Sequence, residues 1–128
     1  FNAFEFKDHT YDYIVGGFSV HHCNSEEKKS LFKNIYKSLK PGGVFSCSDL
    51  MINKNSSNHP ALIEQWKAFV LTNYPDHEKW EWLMEHYNEF DKPDEFKDQQ
   101  NWLKEAGFKR FNNTANETYW MHFQAFKD

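Results

Sequence analysis

Two apolar runs, residues 13–20 and 44–52, flank one well-marked helix, and that order leaves few folds open. The first, Tyr13-Ile14-Val15-Gly16-Gly17-Phe18-Ser19-Val20, is short, nearly continuous and rich in aromatic and β-branched residues. Such a run predicts a strand buried on both faces, the habit of parallel sheets. Its two glycines weaken strand propensity and mark a place where a ligand or another backbone approaches closely. The helix starts at Asn24, an N-cap residue with Glu27 three positions on, as in a capping box. Leu31, Phe32, Ile35, Tyr36 and Leu39 then form one apolar stripe. Lys40-Pro41-Gly42-Gly43 stops the helix, since proline cannot continue it and glycine accepts a left-handed turn. Val44 to Ile52 is the second strand. Strand, helix and strand with short connections make a βαβ unit, expected to be right-handed.

The rest of the chain reads as helices followed by a strand pair. Asn53 to Asn58 is a polar loop, and Pro60 suits the first turn of a helix carrying Leu62, Ile63, Trp66, Phe69 and Val70. Pro75 ends it. A second helix runs from about Asp76 to Phe90, and a third starts at Lys92-Pro93 and ends at Gly107. Phe108 to Phe111 is a short strand, Asn112 to Asn116 a turn-rich connection, and Glu117 to Lys127 a last, interior strand antiparallel to its predecessor. Residues 1–128 are expected to form a single partial domain: 1–52 as the βαβ part, 53–107 as a helical lid and 108–128 as the strand pair.

Composition narrows the classes. Aromatics make up 19% of the chain, with thirteen Phe and five Trp, which argues against disorder. The net charge is −4 and the basic residues are dispersed, so the basic face of a nucleic-acid binder is absent from the pattern. Cys23 and Cys47 form no CxxC pair, which makes a reducing, cytoplasmic setting the default. No run approaches the ~18 apolar residues of a membrane span. The chain opens on Phe1 in mid-pattern, as a fragment would.

Three stretches together resemble the later half of a class I, Rossmann-like S-adenosylmethionine-dependent methyltransferase. Tyr11-Asp12-Tyr13-Ile14-Val15, then Phe18-Ser19-Val20-His21-His22, is similar to that family's fourth strand and its frequent double-histidine ending. Leu39-Lys40-Pro41-Gly42-Gly43-Val44-Phe45, closing in Ser48-Asp49-Leu50, is similar to the turn into the fifth strand. Trp102-Leu103-Lys104-Glu105-Ala106-Gly107-Phe108 is similar to the helix end before the sixth. The nearest likeness is to small bacterial methyltransferases of undefined substrate. The resemblance implies an α/β fold with strands 4, 5, 6 and 7 of the family's sheet, helices on both faces and a helical lid after strand 5. It also implies S-adenosylmethionine as cofactor. The glycine-rich turn and the acidic ribose-binding residue that grip it in the family would lie upstream, and no such motif precedes Tyr11.

Candidate site residues follow from strand ends, where doubly wound sheets bind ligands. The resemblance implies that Phe1 and Asn2 sit beside the adenine, and Gly17, Phe18 and His22 beside the cofactor. The plain alternative for Gly17 is close packing. His21 is a candidate general base or an inward structural histidine, its ordinary pKa being near 6.5. Asp49 either touches substrate or caps a loop. Trp66, Trp80 and Tyr87 are candidate substrate contacts in the lid or, equally, core rings. No metal is expected at His21-His22-Cys23, since neighbours on a strand point to opposite faces. The readings left open are a methyltransferase portion acting on a small molecule and inactive alone, a non-enzymatic module dimerising through the strand 13–20 edge or through the surface an absent N-terminal half would cover, and a methyltransferase-like pseudoenzyme whose lid binds a partner.

Overall fold

The computed structural model describes residues 6–116 and 119–128. Phe1 and Asn2 lie outside the described residues. Four strands form one sheet in the order β1-β2-β4-β3, with β1 Tyr11–Gly17, β2 Leu39–Leu50, β3 Arg110–Asn116 and β4 Trp120–Phe126. β1 and β2 are parallel, and β4 pairs antiparallel with both β2 and β3. Among the described residues four α-helices accompany the sheet: α1 Ser25–Ser38, α2 His59–Asn73, α3 His77–Phe90 and α4 Phe96–Ala106.

The βαβ unit forms as its sequence dictates. The Asn24 side chain accepts from the Glu27 N–H at 2.8 Å, and the Glu27 carboxylate accepts from the Asn24 N–H at 3.0 Å. This reciprocal box starts α1, whose stripe of Leu31, Phe32 and Ile35 meets Phe45, Cys47, Phe123 and Ala125 of the sheet. At the far end, Lys127 Nζ donates to the Tyr36 and Leu39 carbonyls, each at 2.8 Å, satisfying groups that a helix C-terminus leaves free. α4 packs on α1 from the same side, adding Leu103 and Phe108 to this first core. Gly107 ends α4 at φ +126°, and a Cβ there would stand 2.6 Å from the Tyr36 ring, so both backbone and space call for glycine. A second core lies at the carboxyl end of β2, where Leu50 and Ile52 meet Trp66, Trp80 and Tyr87 of α2 and α3. The helices of residues 53–107 thus divide between two cores.

Several expectations need correction. The first strand ends at Gly17, not Val20, because Phe18 turns into the left-handed region at φ +48°. Nor is that strand buried on both faces: it is the sheet edge, and Tyr13 and Val15 are 52% and 67% exposed on the face opposite α1. β2 begins at Leu39, ahead of Val44, because Gly42 donates to the Lys127 carbonyl and Lys127 donates back to that of Gly43, which ties the turn to the sheet. The third helix starts at Phe96, since residues 91–95 are engaged elsewhere: Lys92 N–H donates to the His21 carbonyl and Asp94 pairs with Lys28 at 2.7 Å. Asn112 to Asn116 is strand, not turn, because pairing with Met121 to Gln124 overrides local preference and a register shift between Asn113 and Ala115 absorbs the irregularity.

Candidate functional site

The carboxyl ends of β1 and β2 form one rim. Beyond Gly17, Phe18 is held in its left-handed conformation by an N–H···O bond of 2.8 Å to the Ser48 carbonyl. A phenylalanine in that region is strained, and the strain sits at the rim. Its half-exposed ring lies 6.2 Å from that of Trp120. Val20–His22 then forms a single 3₁₀ turn. In that turn consecutive side chains do not alternate as on a strand, and the rings of His21 and His22 lie 4.2 Å apart on one side. The strand geometry that argued against a shared ligand role for these two histidines does not exist here.

His21 is buried between two carboxylates. Its Nδ1 pairs with Asp49 Oδ1, which also accepts from the Leu50 N–H at 2.9 Å. Its Nε2 faces Asp91 Oδ1 at 3.4 Å, and the Nε2 atoms of His22 and His86 face the same oxygen at 3.5 and 3.4 Å. Asp91, the C-cap of α3, keeps only 4% of its side chain exposed, and its Oδ1 has no hydrogen-bond partner among the described residues. His21, His22 and Asp91 each offer a ligand atom within 4.8 Å of the others. Burial, followed by the neighbouring His21, holds the His22 imidazole below its ordinary value, with Asp91 opposing. Lys54 Nζ donates to the Tyr87 and Asp91 carbonyls at 2.9 and 2.6 Å, and burial pushes its ammonium below the usual lysine value.

The rim brings Gly17, Phe18, His21, His22 and Asp49 together. Gly17 is exposed, and a Cβ built on it meets nothing within 4 Å. Packing within this chain therefore gives no reason for glycine there. Asp49 is buried and directed at His21, not at solvent. Trp66, Trp80 and Tyr87 lie in the second core, with Trp66 edge-on to both partners at 6.1 and 5.4 Å and Tyr87 hydrogen-bonded to His59 at 3.0 Å. The lid rings that face outward are Phe69, Tyr74, Trp82 and Phe90. His86 and Asp91 escaped the sequence reading. One signal was legible, a carboxylate at the C-terminus of a helix, where the macrodipole disfavours negative charge.

Comparison with known proteins bears on this rim. The model of the ubiE/COQ5 methyltransferase family matches residues 2–123. No curated protein matches the chain. Solved structures of similar fold include a possible exported protein from Bordetella parapertussis, at 16% identity and TM-score 0.64, covering 95% of this chain and 40% of that one. Human N-acetylserotonin methyltransferase, in complex with SAM, is 18% identical at TM-score 0.60 and covers 95% and 31%. A SAM-dependent methyltransferase from Thermotoga maritima is 12% identical at TM-score 0.61, with 99% and 60% covered. The chain thus spans less than two thirds of the length of each, and at these identities the likeness is one of fold. Among the described residues no helix is long and apolar enough to cross a membrane.

Proposed function

The chain belongs to the ubiE/COQ5 methyltransferase family, and on that premise we propose that it is the later portion of an enzyme moving a methyl group from S-adenosylmethionine to a small-molecule acceptor. The bound cofactor would supply an electrophilic methyl on a sulfonium. The observation that carries the reading is the rim itself: Gly17 is bare, exposed and free of neighbours, so a ligand can approach its backbone. Gly17, Phe18 and His22 would line the cofactor side. His21, fixed through Nδ1 by Asp49, would present only Nε2 to the rim. Methyl transfer depends on in-line positioning more than on proton transfer, which suits a rim of oriented groups. The outward rings of α2 and α3 bound a groove of about 880 Å³ beside Phe69, Tyr74 and Trp82 and would cover a planar or cationic acceptor, with Trp66, Trp80 and Tyr87 supporting them from beneath.

The 128 residues alone are expected not to transfer methyl groups, because no glycine-rich turn of the cofactor-binding type precedes Tyr11. A reducing cytoplasmic setting, in which buried Cys23 and Cys47 stay thiols, completes the reading. Calorimetric titration with S-adenosylhomocysteine tests it. Binding by the chain is expected to be weak, and restored by adding the family's upstream elements. In the restored protein Gly17→Leu is expected to lower affinity at least tenfold without loss of folding. Tight binding by the 128 residues alone, or indifference to Gly17→Leu, overturns the reading.

A second reading, a self-associating or partner-binding module without catalysis, is favoured by the exposed apolar edge of β1 at Tyr13 and Val15. Light scattering over a range of concentrations is then expected to give a dimer that Val15→Lys dissociates. A monomer throughout removes this reading.

A further inference from the structure

We propose that His21, His22 and Asp91 form a site for a divalent transition metal of the zinc class, at the rim where the methyltransferase reading also places His21 and His22. Three imidazole Nε2 atoms converge on one carboxylate oxygen at 3.4, 3.5 and 3.4 Å. These separations exceed the 2.7–3.2 Å of ordinary N–H···O bonds. Ligands held at about 2.0–2.1 Å from a tetrahedral zinc ion stand about 3.3–3.4 Å from one another, close to the 3.4 and 3.5 Å that separate the His21 and His22 nitrogens from Asp91 Oδ1. The ligand atoms of His21, His22 and Asp91 all lie within 4.8 Å of one another, near enough to share one ion.

Charge points the same way. Asp91 Oδ1 is buried and has no hydrogen-bond partner among the described residues, at the C-terminal end of α3 where the helix dipole adds further negative potential. The Lys54 ammonium lies near enough to interact with Asp91 but directs its hydrogen bonds at the backbone carbonyls of Tyr87 and Asp91. On the other side of His21, Nδ1 pairs with Asp49, which directs Nε2 at Asp91. A carboxylate behind a ligating histidine fixes its tautomer and raises its basicity, as outer-shell partners of metal sites do.

The site is also held in shape and open to entry. The Lys92 N–H donates to the His21 carbonyl at 2.7 Å, tying the segment after α3 to the 3₁₀ turn. His22 and His86 keep 47% and 38% of their side chains exposed, so an ion can reach the site from solvent. Imidazole-dominated ligand sets select zinc, copper or nickel over magnesium and calcium.

The test is titration of the 128-residue chain, stripped with chelator, with zinc(II) and separately with cobalt(II) near neutral pH. A single equivalent of zinc is expected to bind, and cobalt is expected to give the intense visible bands of a four-coordinate site. Asp91→Asn and His22→Ala are expected to weaken zinc binding at least tenfold, and Asp49→Asn to weaken it roughly 10–100-fold through His21. His77→Ala, an exposed histidine away from the cluster, is expected to change nothing. His22 is exposed, so its variant keeps the fold and remains informative where a buried substitution does not. Absence of stoichiometric binding, or binding that His22→Ala and Asp91→Asn leave intact, overturns the proposal.

Discussion

The two cores of this molecule use the same aromatic supply in different ways. In the first, Phe32, Phe45 and Phe123 interlock between α1, α4 and the sheet with essentially no exposure, and each ring meets its neighbour at a tilted or edge-on angle. In the second, Trp66 gathers Trp80, Tyr87 and Tyr119 around itself, yet the same two helices turn Phe69 and Trp82 outward at 60% and 67% exposure. The first core is closed by elements from both ends of the chain. The second is closed on one side only. A closed core fixes positions, whereas a half-closed one supplies a framed surface, so the rim stands on the first and the groove on the second.

The contrast can be broken most directly at Phe123. Phe123→Ala removes a fully buried ring from the first core and is expected to cost about 3–5 kcal/mol in denaturant unfolding. Tyr87→Phe takes only a hydroxyl from the second core, with its His59 bond, and is expected to cost about 1 kcal/mol near neutral pH. Its pH dependence sharpens the comparison. Burial, then the nearby Asp91, pushes the Tyr87 phenol up to about 12 from its ordinary value of 10.0. Below pH 10.0 the phenol is neutral folded and unfolded, so its contribution is complete; between 10.0 and about 12 only the unfolded chain ionises, and stability falls as pH rises. Tyr87→Phe is expected to remove that part of the alkaline loss, which unfolding curves at several pH values would detect. Trp82→Ala, on the outward side of α3, is expected to change stability by no more than about 0.5 kcal/mol. Equal costs at Phe123 and Trp82 would erase the distinction between the cores.

How much of this was legible differs between the two regions for a physical reason. The framework signals itself locally: Asn24 and Glu27 cap α1 by contacts three residues apart, and Pro41 and Gly42 end it whatever surrounds them. The rim depends on distant neighbours. The 3₁₀ turn at Val20–His22 carries no sequence mark that separates it from one more turn of strand, and it alone puts His21 and His22 side by side. Asp91 meets those histidines across some seventy positions, so its role appears only once the Lys92 N–H has found the His21 carbonyl. Asn112 to Asn116 misled in the opposite sense, since turn-prone residues became strand where β4 offered backbone partners.

The grip of Lys127 on α1 has a consequence for the order in which this chain acquires its structure. The ammonium that satisfies the Tyr36 and Leu39 carbonyls arrives 91 and 88 positions later. The strand just before it, β4, fills the space between β2 and β3. During synthesis α1 can therefore coil early, but its last turn stays open and the sheet stays in two pieces until β4 and Lys127 emerge. Long-range closure of this kind slows folding and leaves apolar edges uncovered meanwhile. Native closure of α1 therefore waits on a residue far along the chain, and loss of Lys127 would be an injury to the first helix.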